Sequence, residues 1–82
     1  MMNHKVTKVH PADNVLVALS NLKEGEEVVY NGEAYMIIGN VPAKHKFVTK
    51  DMQPGDELFM YGVLVGKAQS FIPRASAITL PM

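Results

Sequence analysis

Apolar residues along the chain occur in short runs that are separated by Gly, Pro, Asn and Asp. The runs cover residues 15–19, 28–30, 35–38, 47–48, 58–61, 63–65 and 77–80. They have the length of β-strands and are rich in β-branched and aromatic residues, which favours strands over helices. The chain is therefore predicted to be mostly β.

A β-hairpin is predicted at Asn31-Gly32, which lies between two of these runs. A type I′ turn needs positive φ at both central residues, and Asn-Gly adopts those angles at low cost. For residues 16–22 the sequence is compatible with either a helical turn or a strand. The preceding Asp-Asn pair suits a helix cap, whereas the β-branched Val15 and Val17 favour a strand.

One phrase recurs along the chain, in which an apolar residue, a polar turn and an acidic or small pair precede a strand-like run. It occupies residues 22–28, 52–58 and, more loosely, 71–78. Gly25 and Gly55 lie in the first two turns, where we expect the backbone to adopt positive φ. The intervals between copies are unequal, which argues against a solenoid. We expect one compact, barrel-like domain over residues 1–82 with pseudo-repeated corners.

The composition excludes several classes of protein. The chain has 82 residues, eight basic and eight acidic side chains and no cysteine. Balanced charge argues against nucleic acid or an anionic membrane as partner, and the longest apolar run is far below the roughly 20 residues that span a bilayer. The cytoplasm is the expected compartment. So small a chain without disulfides has a limited core, so a homodimer or a larger partner is a further expectation.

The first candidate site is His-Pro-Ala-Asp-Asn at residues 10–14. The commoner use of such a cluster is a turn, in which Pro11 fixes φ and Asp13 accepts hydrogen bonds from backbone amides. The functional alternative gives His10 a role in proton transfer or metal binding.

The second candidate site is Lys44-His45-Lys46, the densest positive patch of the chain together with Lys50. Such a patch suits a carboxylate or another small anion. The alternative is a solvated loop whose charges serve solubility. No aromatic residues alternate with the lysines, which again argues against nucleic acid.

The third candidate is Tyr61-Gly62, which with Gly66 brackets residues 63–65. Glycines beside a short strand allow another part of the chain to approach the backbone closely. The Tyr61 hydroxyl either donates to a substrate or lies over the core, and the structural use is the commoner one. The pattern lacks the spacing of a phosphate-binding loop.

These stretches, in order along nearly the whole chain, resemble the N-terminal SAF domain of the altronate and galactarate dehydratase family. The family pattern reads H-x-x-D-N-V-x-x-A-L, then G-H-K, then G-x-x-V-x-x-Y-G-x-x-I-G. The resemblance implies a β-clip fold with short strands, long corners and little helix. Leu58 and Val65 replace Val and Ile conservatively, but Lys44 stands where the family has Gly. Because lysine adopts positive φ less readily than glycine, this change bears on the loop at His45.

The resemblance implies a hydro-lyase that removes water from a sugar acid such as altronate and yields 2-keto-3-deoxygluconate. It implies a divalent metal, Fe²⁺, in the complete enzyme, with His45 or His10 as the candidate ligand. His45 is then a base or ligand, Lys46 a clamp for the substrate carboxylate, and His10 a further catalytic candidate. The residues expected to bind substrate beside Lys46 are Asp13, Asn14, Tyr61 and Gly62.

In this family most of the protein is a second domain, which some members carry on a separate chain. We therefore expect residues 1–82 to be the N-terminal domain or small subunit of a larger dehydratase, without turnover of its own. The implied partner is a C-terminal catalytic domain or large subunit. Two alternatives stay open, namely the small subunit of a related 2-hydroxy-acid lyase, for example for sulfolactate, and a non-enzymatic SAF binding module.

Overall fold

A computed structural model describes residues 5–78 of the chain. In this range every regular element is a strand, which confirms the mostly β prediction and settles the open segment, since residues 15–18 are extended. Residues 5–78 contain no helix long and apolar enough to cross a membrane. The strands are β1 (Val6–Thr7), β2 (Val15–Ala18), β3 (Glu27–Tyr30), β4 (Glu33–Met36), β5 (Lys46–Val48), β6 (Glu57–Met60), β7 (Val63–Lys67) and β8 (Ala77–Ile78).

A four-stranded antiparallel sheet in the order β1-β2-β5-β8 forms the centre of the fold. Within it Leu16 pairs with Phe47, and Val15 pairs with Val48. Successive side chains of a strand point to opposite faces, so the sheet directs these two pairs to opposite sides. Both sides are buried here, which explains why β2 reads as a continuous apolar run rather than an alternating one.

Two hydrophobic clusters cover the two faces of the central sheet. In the first cluster the Tyr35 ring meets the Phe47 ring edge-on, with 5.7 Å between the centroids. The buried members of the first cluster are Val6, Leu16, Ala18, Leu22, Val28, Tyr35, Ile37, Val41, Phe47 and Ala75. Those of the second are Val15, Val48, Met52, Leu58, Met60, Ala68 and Ile78.

Two β-hairpins, β3–β4 and β6–β7, flank this sheet. Asn31 and Gly32 join the first hairpin with φ of 52° and 82°, which confirms the predicted turn. Tyr61 and Gly62 join the second with φ of 56° and 76°, so the same kind of turn recurs. The second turn places a tyrosine in a backbone conformation that L-residues rarely adopt.

Each hairpin begins at an equivalent corner. Gly25 and Gly55 have φ of 84° and 93°, which confirms the expectation for both glycines. The Gly25 amide donates to the Ile37 carbonyl at 2.8 Å, and the Gly55 amide donates to the Ala68 carbonyl at 2.7 Å. The recurring phrase at residues 22–28 and 52–58 therefore forms two copies of one structural unit.

The third, looser copy of the phrase occupies a different place in the fold. Ile72 bridges to Met52 in the same way as Val41 bridges to Leu22, so residues 71–78 correspond to residues 40–47. This segment pairs, through the Met52–Ile72 bridge, with the start of the second copy of the phrase. The chain is thus a double unit rather than a triple one.

The expected barrel is not present within the described residues. A barrel requires each strand to be hydrogen-bonded on both sides. Here each hairpin pairs within itself, the isolated bridges lie outside the named strands, and the central sheet ends at β1 and β8. Strands of two to five residues separated by tight corners do not extend far enough to pair continuously.

Candidate functional site

Asp13 anchors the loop before β2 to the turn of the second hairpin. Its side chain is buried, with 6% of the residue exposed. One carboxylate oxygen accepts the Gly62 amide at 2.8 Å, and the other accepts the amides of Tyr61 at 3.0 Å and His10 at 3.1 Å. The carboxylate therefore fixes the positions of His10, Tyr61 and Gly62 relative to one another.

The environment of Asp13 keeps its carboxyl group ionised. Burial raises the pKa, but the backbone amides of Gly62, Tyr61 and His10, together with the charge of the His10 ring, outweigh burial. The pKa of Asp13 therefore lies below its ordinary value. The group acts as a permanent acceptor at neutral pH.

Asn14 ties the same loop to β6. Its side-chain amide donates to the Glu57 carbonyl at 2.8 Å, and its side-chain oxygen accepts the Phe59 amide at 3.0 Å. The backbone amide and hydroxyl of Thr49 both donate to the Asn14 carbonyl, at 3.1 and 3.2 Å. Thr49 was not predicted from the sequence, because it lies 35 residues from Asn14 and belongs to no recognisable motif.

The His10 imidazole lies over the turn of the second hairpin. Its Nδ1 accepts the Ala12 amide at 3.0 Å, so the neutral ring carries its proton on Nε2. A Cβ atom on Gly62 would lie 2.8 Å from Cδ2 and 2.9 Å from Nε2 of this ring. The ring is therefore in direct contact with the turn that Asp13 holds.

Lys46 reaches the same turn from the central sheet. Its ammonium lies 5.6 Å from the centroid of the Tyr61 ring, in the range of a cation–π contact. Lys46 shares a strand face with Val48, which packs in the cluster under the second hairpin. We call the group formed by His10, Lys46, Tyr61 and Gly62 the turn site.

His45 belongs to the loop before β5. Its exposed ring has Nδ1 3.4 Å from the Ala43 carbonyl oxygen, and within residues 5–78 no hydrogen bond joins it to the turn site. Lys46 is the first residue of β5, whereas His45 precedes this strand and follows Lys44, whose φ is positive. Its roles as base or ligand stay predictions.

Lys44 adopts a left-handed backbone conformation, which glycine adopts at lower cost. Its φ is 73°, and its amide donates to the Ala18 carbonyl at 2.7 Å. The equivalent residue of the second unit, Ala75, has φ of 70°. The loop before His45 therefore keeps its shape although lysine adopts it at a cost.

The described residues do not fit a metal centre by themselves. Within residues 5–78 no three side chains of the types His, Cys, Asp and Glu lie close enough together to hold an ion. Both candidate ligands, His10 and His45, are exposed residues, and Nδ1 of His10 already accepts the Ala12 amide.

Comparison with known proteins finds one family that matches nearly the whole chain. Residues 4–79 match the family model described as the altronate/galactarate dehydratase SAF domain. Altronate dehydratase of Escherichia coli K12 is 38% identical over 61 residues, which are 74% of this chain and 12% of that protein. Altronate dehydratase of Bacillus subtilis 168 is 29% identical over 65 residues, which are 79% of this chain and 13% of that protein.

The chain thus spans about an eighth of the length of these two relatives. The family that the sequence motifs indicated is confirmed. The match covers the corners, both hairpins and all four residues of the turn site. By this evidence the chain belongs to the SAF domain family of the altronate/galactarate dehydratases.

Proposed function

We propose that this chain is the SAF part of a sugar-acid hydro-lyase of the altronate dehydratase type. The family match and the names of the two relatives support this activity. Their much greater length supports a C-terminal catalytic domain or large subunit as partner. We expect no turnover from the chain alone, since His10 and Tyr61 are exposed to water and such chemistry needs a closed, polar environment.

The proposed reaction converts altronate to 2-keto-3-deoxygluconate. A base removes the proton from the carbon beside the carboxylate, and the hydroxyl of the next carbon leaves as water. The resulting enol then takes up a proton at the carbon that lost the hydroxyl and releases the proton of its own hydroxyl, which gives the keto acid. The intermediate carries negative charge next to the carboxylate, so positive groups and hydrogen-bond donors must face that end of the substrate.

The contact between Lys46 and Tyr61 carries the proposal. The aromatic ring holds the ammonium in place without neutralising its charge. Within residues 5–78 the ion pairs are Lys5–Glu26 and Arg74–Glu33, so no acidic side chain of this range consumes the charge of Lys46. An ammonium held in this way suits the carboxylate of a sugar acid.

The other predicted residues take complementary roles in the proposal. Asp13 and Asn14 shape the site through backbone contacts. His45 matches the family motif, and we keep it as a base or metal ligand that faces another part of the catalytic partner.

The test is an assay of the complete enzyme that contains this chain, with altronate and galactarate as substrates and the 2-keto-3-deoxy acid as the measured product. Lys46→Ala should raise KM for the sugar acid roughly 10- to 100-fold, because it removes a charge-assisted hydrogen bond. Lys23→Ala is the matched control, since it removes an exposed lysine at the corner of the other hairpin. The proposal fails if neither acid is dehydrated, or if both variants have the KM of the wild type.

A further inference from the structure

We infer that Gly62 positions the His10 imidazole, and that the Ala12 amide fixes its proton on Nε2, so that the turn site presents one N–H donor beside Tyr61. This inference deepens the proposed function and rests on it for the identity of the ligand. It makes His10 the donor to an anionic oxygen of a hydroxy acid whose carboxylate Lys46 binds.

The space around Gly62 distinguishes it from the other glycines. A Cβ built on Gly62 would lie 2.8, 2.9 and 3.0 Å from Cδ2, Nε2 and Cγ of His10, closer than carbon atoms approach one another without displacement. A Cβ built on any of the other five glycines meets no atom of the described residues within 4 Å. The His10 ring therefore occupies the volume that a side chain at position 62 would need.

Backbone conformation alone does not account for this contact. Gly32 holds the same position in the turn of the first hairpin, with φ of 82° against 76° for Gly62. Both turns need a residue that adopts positive φ. Among residues 5–78 an imidazole lies against the second turn and not against the first, so Gly62 has a role in addition to the conformational one.

A set of hydrogen bonds through Asp13 and Ala12 holds His10 and the turn as one unit. The Ala12 amide donates to Nδ1 of the ring at 3.0 Å, and the His10 amide donates to the Asp13 carboxylate at 3.1 Å. The Asp13 amide donates to the His10 carbonyl at 2.9 Å, and the Gly62 amide donates to the Asp13 carboxylate at 2.8 Å. The same carboxylate thus binds both the histidine backbone and the glycine on which the ring lies.

His10 is an exposed residue, and its Nε2 lies at the turn of the second hairpin. With Nδ1 engaged as an acceptor, the neutral imidazole donates through Nε2. Lys46 provides a positive charge at the same turn. One charged and one neutral donor suit the carboxylate and a neighbouring oxygen of a hydroxy acid, the oxygens on which charge develops during proton removal.

The first test is nuclear magnetic resonance of the labelled 82-residue chain. The wild type should show the ring-nitrogen shifts of an Nε2–H tautomer for His10 and a cross-peak between His10 Hδ2 and the Gly62 α-protons. Gly62→Ala should abolish this cross-peak and move the ring resonances, whereas Gly32→Ala should leave both unchanged. Retention of the ring signals in Gly62→Ala, or their loss in Gly32→Ala, would overturn the inference.

A double-mutant cycle measured by thermal unfolding separates the contact with His10 from a general loss of stability in Gly62→Ala. Both glycine substitutions strain a turn, so the difference between them reports the contact with His10. Gly62→Ala should lower Tm by roughly 4 °C more than Gly32→Ala. In a His10→Ala background this difference should disappear, because the clash is gone. A difference that persists without His10 would contradict the contact.

The last test uses the complete enzyme and separates this inference from the proposed function. His10→Ala and Gly62→Ala should raise KM for the sugar acid to a similar extent, and the double variant should raise it no further. If Lys46→Ala raises KM and Gly62→Ala does not, the inference fails while the proposed function stands. If no sugar acid is turned over, the proposed function fails, and the magnetic-resonance result still decides whether Gly62 positions His10.

Discussion

Replacing Asp13 with alanine should remove a large part of the stability of this small chain. The buried carboxylate is the common acceptor for three backbone amides, those of His10, Tyr61 and Gly62. Alanine leaves all three donors without that partner and leaves a cavity where the carboxylate was. The loop before β2 then loses its direct connection to the turn of the second hairpin.

The magnitude follows from the number of bonds and their exposure. An unsatisfied donor costs about 1–3 kcal/mol when it is fully buried. His10, Tyr61 and Gly62 are exposed residues, so water replaces part of the lost bonding. We therefore expect Asp13→Ala to cost about 2–4 kcal/mol. A chain of 82 residues has a total stability of roughly 4–12 kcal/mol, so the variant should be close to unfolding.

Urea unfolding followed by circular dichroism measures this difference. Asp56→Ala is the matched control, because Asp56 occupies the corner of the second unit and its side chain accepts one backbone amide, that of Gln53, at 2.7 Å. We expect a cost of about 1 kcal/mol there. If Asp13→Ala costs no more than Asp56→Ala, the three amides are not held by the carboxylate and the interpretation is wrong.

Three further predictions concern single residues. The free energy of unfolding of the wild type should approach that of Asp13→Asn as pH falls below about 4. The pKa of Asp13 is lowered in the folded chain, so the ionised carboxylate stabilises the fold above its ordinary pKa, and this stability is lost as the folded carboxyl is protonated. A difference in unfolding free energy between the two proteins that stays constant in acid would contradict this. Lys44→Gly should stabilise the chain by about 0.5 kcal/mol in urea unfolding, since relief of positive φ outweighs the added entropy of unfolded glycine; a loss of stability would refute it. In the complete enzyme Tyr61→Phe should keep the KM of the wild type and Tyr61→Ala should raise it, because the ring holds Lys46; equal effects would assign the role to the hydroxyl instead.

Local rules predicted the parts of the fold that depend on near neighbours. The Asn31-Gly32 turn and the positive φ of Gly25 follow from residue types at adjacent positions. The Tyr61-Gly62 turn was not predicted as a turn, because tyrosine has no preference for positive φ. Asp13, Asn14 and the pairing of β6 with β7 impose that conformation from elsewhere in the chain.

The sequence predicted the members of the site better than their arrangement. Lys46, Tyr61 and His10 were candidates, and the structure brings these three together at one turn. His45 and Lys46 were both candidates from one motif, but only Lys46 belongs to β5, and His45 Nδ1 lies 3.4 Å from the Ala43 carbonyl oxygen in the loop before that strand. The contact between His10 and Gly62 joins positions 52 residues apart, which no periodicity or motif spacing reveals.

The most direct test of the central claim is the ratio of kcat/KM between Lys46→Ala and Lys23→Ala in the complete enzyme, with the proposed sugar acid as substrate. The claim is that an ammonium held against an aromatic ring in this small chain binds the substrate carboxylate. It predicts a ratio of roughly 0.01–0.1, the loss of one charge-assisted hydrogen bond. A ratio near one would show that the turn site does not contact the substrate.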